Sequence, residues 1–263
     1  MNGHKFHGLP FGAGMVILWN QSNVLLSKVE LWQWSIRKEV SRMYDKTVVV
    51  SQQPSVLSTN KVIRNTYTLL SLTLLFSALT AGIAVMTNMP FINPIITLVG
   101  YFGLLFLTTR FRNSGLGLLF VFALTGFMGL TLGPIISAYL HLPNGGQIVM
   151  TAMGGTGVIF LGLSGYALAT RRDFSFLGGF LFTGLLVVLV AALANIFFSI
   201  PALSLAISAG VILIMSGYIL FDTSRLINGG ETNYILATIS LYVSIYNLFL
   251  SLLQLIGAFN SEE

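Results

Sequence analysis

Asp222, in the stretch ILFDTSR, is the only carboxylate inside a long apolar run of this sequence. A charge at the centre of a bilayer costs roughly 2.5–3.5 kcal/mol on insertion scales, so such a residue marks function by default, with a partner to be found. On the next apolar run Ser240, Ser244, Asn247, Ser251 and Gln254 recur at spacings of 4, 3, 4 and 3, which puts all five on one helical face. That face cannot look at lipid. A lone acid opposite a polar stripe suits the handling of a proton or a cation rather than covalent catalysis. The plainer alternative is a helix-end acid at the water interface, since Arg225 follows only three residues later. Both readings stay open at the level of sequence.

Other chemistry finds little support. There is no cysteine, so disulfides, thiolate nucleophiles and thiolate metal sites are excluded. His4, His7 and His141 lie outside the apolar runs and form no ligand cluster. No HExxH, GxSxG or phosphate loop is present, and Ser244 with Asp222 alone makes a poor nucleophile and base, because an ordinary aspartate barely activates a hydroxyl. The glycines from Gly154 to Gly165 follow no strand, which removes a dinucleotide site. The expectation is a non-enzymatic protein with no cofactor and no resident metal, Asp222 being at most a transient calcium contact.

The elements that position these residues are membrane helices. The chain has 55% apolar and 8% charged residues and a mean hydropathy of +0.85, against roughly 25% charged in soluble domains. Its net charge of +5 is scattered rather than gathered into a nucleic-acid footprint. Apolar runs fall at about 66–87, 91–109, 115–139, 146–169, 176–199, 203–224 and 235–259. Each approaches the roughly 20 residues a spanning helix needs, the second being slightly short. Helices are required because backbone groups find no water in hydrocarbon, and the alternation of a barrel strand is absent. The fold class expected is all-α and polytopic, with seven transmembrane helices. Lys61, Arg64, Arg110, Arg112, Arg171, Arg172 and Arg225 flank alternate connections, and the intervening ones carry no Lys or Arg. By the positive-inside rule the N terminus is cytoplasmic and the C terminus lies across the membrane. Gly129 and Gly133 form a GxxxG, and Gly154, Gly155, Gly157, Gly162 and Gly165 crowd the fourth run, all expected to pack helices closely. Pro134 should kink the third helix, and Asn195 should bond across helices.

Residues 1–60 read as a cytoplasmic N-terminal tail preceding a domain over 61–263. They hold all three tryptophans and six of the thirteen Lys and Arg. Two readings of 1–42 stay open: an interfacial helix over Val24–Val40, or an upstream extension with Met43 as the natural start.

The segments TGFMGLTLGPIISAYL, TRRDFSFLGG, ANIFF, ILFDTSRLINGGETNYI and ISLYVSIYNLFLSLL resemble the transmembrane Bax inhibitor motif family, most of all its bacterial YccA branch. The resemblance covers about residues 55–259. It implies a seven-helix bundle with the seventh helix central, placed in the bacterial inner membrane. It also implies a non-enzymatic role: a partner or modulator of membrane-protein quality control acting with the AAA protease FtsH and its regulators, or a pH-sensitive calcium leak through the bundle. Asp222 falls at the family's first aspartate. Ser244, in LYVSIYNLF, stands where leak-forming members carry a second. Two close carboxylates share a proton and can gate near neutral pH, which one alone cannot do by that mechanism. The family's pairing of an arginine with the first aspartate maps onto Arg110, with Arg112 second, as a latch.

Overall fold

The computed structural model describes residues 34–39 and 56–260. These fall in two units, 1–53 and 54–263, taken separately. In the first, residues 34–39 form a short exposed helical segment in which the Lys38 ammonium lies 4.4 Å from the centre of the Trp34 ring. The remainder of the 1–42 region and of the tail up to residue 55 lies outside the described residues.

The second unit is a helical bundle: α1 (Val56–Met86), α2 (Pro94–Arg110), α3 (Gly115–Leu140), α4 (Gly145–Thr170), α5 (Leu177–Phe198), α6 (Pro201–Ile227) and α7 (Tyr234–Asn260). Six are long and apolar enough to cross a membrane, and α2, with 17 residues, is shorter. The apolar interiors give no stop signal, so the ends are set by local chemistry. Asn93 accepts the Ile95 amide at 2.9 Å just before Pro94. Asn233 accepts the amides of Ile235 and Leu236 at 3.0 and 3.1 Å. In both cases a side chain satisfies amides that the first turn leaves unpaired. Pro201 opens α6, where its missing N–H costs nothing. Helices α4 and α5 stop on left-handed residues, Arg171 (φ 51°) and Ser199 (φ 50°).

Helix α7 packs against α1, α3, α4 and α6, whereas α2 packs on α3 and α5 on α6. The most apolar stretch of α7 is 61% buried, that of α5 only 6%. The main core gathers Leu69 and Leu70 of α1, Val121, Leu124 and Met128 of α3, and Leu241, Tyr242 and Ile245 of α7. Tyr242 brings its hydroxyl inside and places it 2.6 Å from Ser77 Oγ.

The GxxxG of α3 does what its spacing predicts. A Cβ at Gly129 would stand 2.3 Å from the Ser77 carbonyl oxygen, and one at Gly133 would stand 2.3 Å from Ala84 Cβ. Backbone of α1 and α3 therefore meets along small residues, where van der Waals contact must replace the absent hydrophobic drive. The glycines of α4 differ: a Cβ at Gly154, Gly157, Gly162 or Gly165 would meet nothing within 4 Å. They pack no helix of this chain, which corrects the expectation. Helix α3 runs continuously through the buried Pro134. Asn195 does not bridge helices; its Oδ1 accepts the Ile200 amide at 3.0 Å and closes the α5–α6 turn.

Candidate functional site

Three consecutive polar residues near the end of α6 address three different neighbours, because successive side chains on a helix diverge by about 100°. Asp222, 7% exposed, accepts a hydrogen bond from Ser240 Oγ on α7 at 2.5 Å. Thr223, fully buried, has its Oγ1 3.3 Å from the Tyr67 hydroxyl of α1 and 3.3 Å from Ser164 Oγ of α4, and Tyr67 and Ser164 bond to each other. Ser224 Oγ donates to the Arg172 carbonyl at 3.1 Å and accepts the Phe174 amide at 2.8 Å, which ties α6 to the 171–176 loop. The same end is braced by Asn233, whose Nδ2 donates to Asn113 Oδ1 at 2.8 Å and to the Arg112 carbonyl at 3.2 Å.

The stripe on α7 faces α6 at both of its ends. Gln254 Nε2 donates to Ser204 Oγ at 2.5 Å, and its Oε1 accepts from Ser208 Oγ at 2.9 Å. With Ser240 on Asp222, this fixes an antiparallel register. Between these ends Ser244 and Ser251 are buried, and Asn247 donates to the Val243 carbonyl of its own helix at 2.8 Å. Ser244 stands one turn, about 6 Å, further along the helix than Ser240.

The arginines expected as latch partners are elsewhere. Arg110 and Arg112 are exposed, and the Arg110 guanidinium lies 6.0 Å from the centre of the Phe111 ring. The physical reason is connectivity: α2 packs on α3, and α3 and α7 separate it from α6. Among the described residues the ion pair within 4 Å is Arg225 with Glu231, at 3.7 Å. Asp222 is thus met directly by a hydroxyl, with no guanidinium within 4 Å among the described residues and Arg225 acting on it only from further away. No group of three or more His, Asp or Glu side chains that could hold a metal occurs among the described residues. In the loop outside the spans, the Ser175 hydroxyl, then the Ser175 amide, and more weakly Ser224 hold the Asp173 carboxyl below its ordinary range.

The residues that sequence reasoning missed are Tyr67, Ser164, Thr223 and Ser224. Thr223 and Ser224 have one sequence signal, the unbroken polar run from Asp222 to Arg225 near the end of α6; Tyr67 and Ser164 have none.

Comparison with known proteins places this geometry. The chain is 54% identical over 218 residues to the modulator of FtsH protease YccA of Escherichia coli K12, covering 83% of this chain and 96% of the relative. The same identity and coverage hold for the inner membrane protein YccA of Escherichia coli O6:H1. An uncharacterised protein of Pseudomonas aeruginosa is 51% identical over 84% of this chain and 99% of its own length. The family model described as inhibitor of apoptosis-promoting Bax1 matches residues 59–261, every helix of the bundle included. On that match and these relatives, the chain belongs to the Bax inhibitor family of membrane proteins.

Proposed function

We propose that this chain is a bacterial inner-membrane protein that crosses the membrane seven times, N terminus in the cytoplasm and C terminus in the periplasm, and modulates an FtsH-type AAA protease. The observation that carries this reading is 54% identity, over nearly the whole of both bundles, to a protein named a modulator of FtsH protease. At about 26 Å, the 17 residues of α2 fall slightly short of a hydrocarbon core of roughly 30 Å, a mismatch that local thinning absorbs. The polar N-terminal tail that precedes α1 serves as the handle that such a machine grips, a role its composition supports. The test is the half-life of a membrane substrate of FtsH in cells lacking or overproducing this protein, together with recovery of the protease on tagged full-length chain. Unchanged half-lives and no recovery would refute it.

A second reading, a pH-sensitive cation leak that calcium would use, is supported by one observation. The Asp222 carboxylate is buried with no cation within 4 Å among the described residues. Here Asp222 acts with Ser240 as the proton-responsive contact, and Ser244, in place of a second carboxylate, keeps conduction low. Arg110 and Arg112 contribute positive charge at the cytoplasmic rim. Calcium flux into liposomes between about pH 6 and 8 should be small for the native protein and clearly larger for Ser244→Asp. Strong native flux undiminished in Asp222→Asn would sink it.

A further inference from the structure

Helices α1 and α4 meet through the long Tyr67 side chain on Ser164, near the end of the bundle that carries the arginines. Beyond that tie they do not pack together, and the space between them is an apolar cavity of about 630 Å³. Its lining runs from Leu74 to Met86 on α1 and from Val149 to Phe160 on α4, backed by Leu132 and Ile136 of α3 and by Tyr242, Tyr246 and Phe249 of α7. We propose that this cavity is a binding site for one acyl chain of a membrane phospholipid, taken from the leaflet at the end of the bundle that has no Lys or Arg.

Two properties select this occupant. The first is polarity. Every hydroxyl of the lining already has a partner: Ser77 and Tyr242 bond each other at 2.6 Å, Thr156 donates to the Ala152 carbonyl at 2.7 Å, and Tyr246 reaches Thr131 at 3.4 Å. No charged side chain lines it. Buried water needs two to four polar partners, and a cation needs oxygen ligands, so neither is held here. The second property is length. Leu74 sits near the middle of the Thr59–Met86 span and Met86 at its end, which makes the cavity about 18 Å long. Half of a hydrocarbon core of roughly 30 Å is about 15 Å, the reach of one acyl chain. The connections at the end without Lys or Arg, 87–93, 141–144 and 199–200, contain no Lys, Arg, Asp or Glu, and the sequence adds only the C-terminal Glu262 and Glu263 there, so nothing favours an anionic headgroup and a zwitterionic lipid suffices. The site is independent of the protease reading.

Gly82 and Gly157 line the cavity and have nothing within 4 Å of an added Cβ, so a phenylalanine at either should fill it without backbone strain; Gly154 is equally open but outside the lining. The probe is phosphatidylethanolamine carrying a diazirine near the end of one acyl chain, photolysed in liposomes with the full-length protein and mapped by mass spectrometry. Adducts should concentrate on 74–86 and 149–160, several-fold over the lipid-facing surface of α5. They should fall several-fold in Gly82→Phe and in Gly157→Phe and persist in Gly154→Phe, with thermal midpoints showing that each variant is folded. Phosphatidylglycerol with the same diazirine chain should label equally. Uniform labelling of all exposed helices, labelling indifferent to both phenylalanines, a marked preference for the anionic probe, or crosslinks joining two copies through this face would each overturn the assignment. If neither phenylalanine variant folds, native mass spectrometry of the unaltered protein decides, since one retained phospholipid per chain is expected and none would refute it.

Discussion

At the scale of single residues, the compensation of Asp222 by Ser240 makes testable demands. Removing the donor leaves a buried carboxylate unsatisfied, so Ser240→Ala should destabilise the bundle by about 1.5–3 kcal/mol, the range for hydrogen bonds to charged groups. In the Asp222→Asn background the amide oxygen loses only a neutral bond, and the same substitution should cost about 1 kcal/mol or less; thermal unfolding in detergent of the four proteins of this cycle measures the difference. Arg110→Ala should change stability by less than about 0.5 kcal/mol, because the side chain is exposed and meets no carboxylate within 4 Å among the described residues. Thr66, fully buried, has an Oγ1 without a hydrogen-bond partner. Thr66→Val should therefore be neutral or stabilising by about 1 kcal/mol, since it removes an uncompensated desolvation of a hydroxyl. That Asp222 would need a polar partner was legible in the sequence, because a carboxylate in an apolar run cannot face lipid alone. The hydroxyl set of Tyr67, Ser164 and Thr223 was not, because single Tyr, Ser and Thr residues on three distant helices carry no periodic mark, and only the packed bundle brings them together.

At the scale of elements, spacing predicted the seam between α6 and α7 but not the ends of the stripe. Five polar residues on one face required a polar or protein-facing neighbour, which α6 is; that Gln254 would find Ser204 and Ser208 depends on the antiparallel register that the short α6–α7 turn imposes. The α3 GxxxG was readable for the same reason, whereas Gly154, Gly157, Gly162 and Gly165 of α4 share the motif's composition without a partner helix, and Gly155 alone faces Leu252 of α7. Spacing alone cannot distinguish these cases. Gly133→Leu should prevent α1 and α3 from closing, and blue-native electrophoresis should show loss of the compact monomer or aggregation. The loop joining α4 and α5 yields a pH effect with a definite sign. The Asp173 carboxyl is depressed below its ordinary value by Ser175, so its contribution to stability is fully present above about pH 4 and is lost as the pH falls through the still lower value of the folded state. Asp173→Asn should accordingly flatten the acid limb of the thermal midpoint, measured from pH 6 down to pH 3, by lowering the midpoint near pH 6 while leaving that at pH 3 little changed.

At the scale of the whole molecule, orientation rests on charge. Reporter tags after Arg112, Arg172 and Gly230 should read cytoplasmic, and tags at Gly145 and Glu263 should read periplasmic; a cytoplasmic signal at Glu263 would remove one crossing, α2 being the first suspect. Sequence located the helices well because hydrocarbon leaves the backbone no alternative, yet the central place of α7 was legible only through the family resemblance and not from the apolar pattern, since lipid-facing and protein-facing leucines look alike. The pairing of helices has a mechanical consequence. The first and last helices, α1 and α7, both belong to the buried centre, and the loosely held α2 and α5 are flanked in the chain by better-packed neighbours. Tension applied to either terminus therefore loads a helix of the core first, and no peripheral helix can peel away beforehand to lower the barrier. In force spectroscopy the first rupture should be the highest, with the remaining helices following at lower force, so that a motor pulling this protein from the membrane would stall at the outset or else extract it in one run.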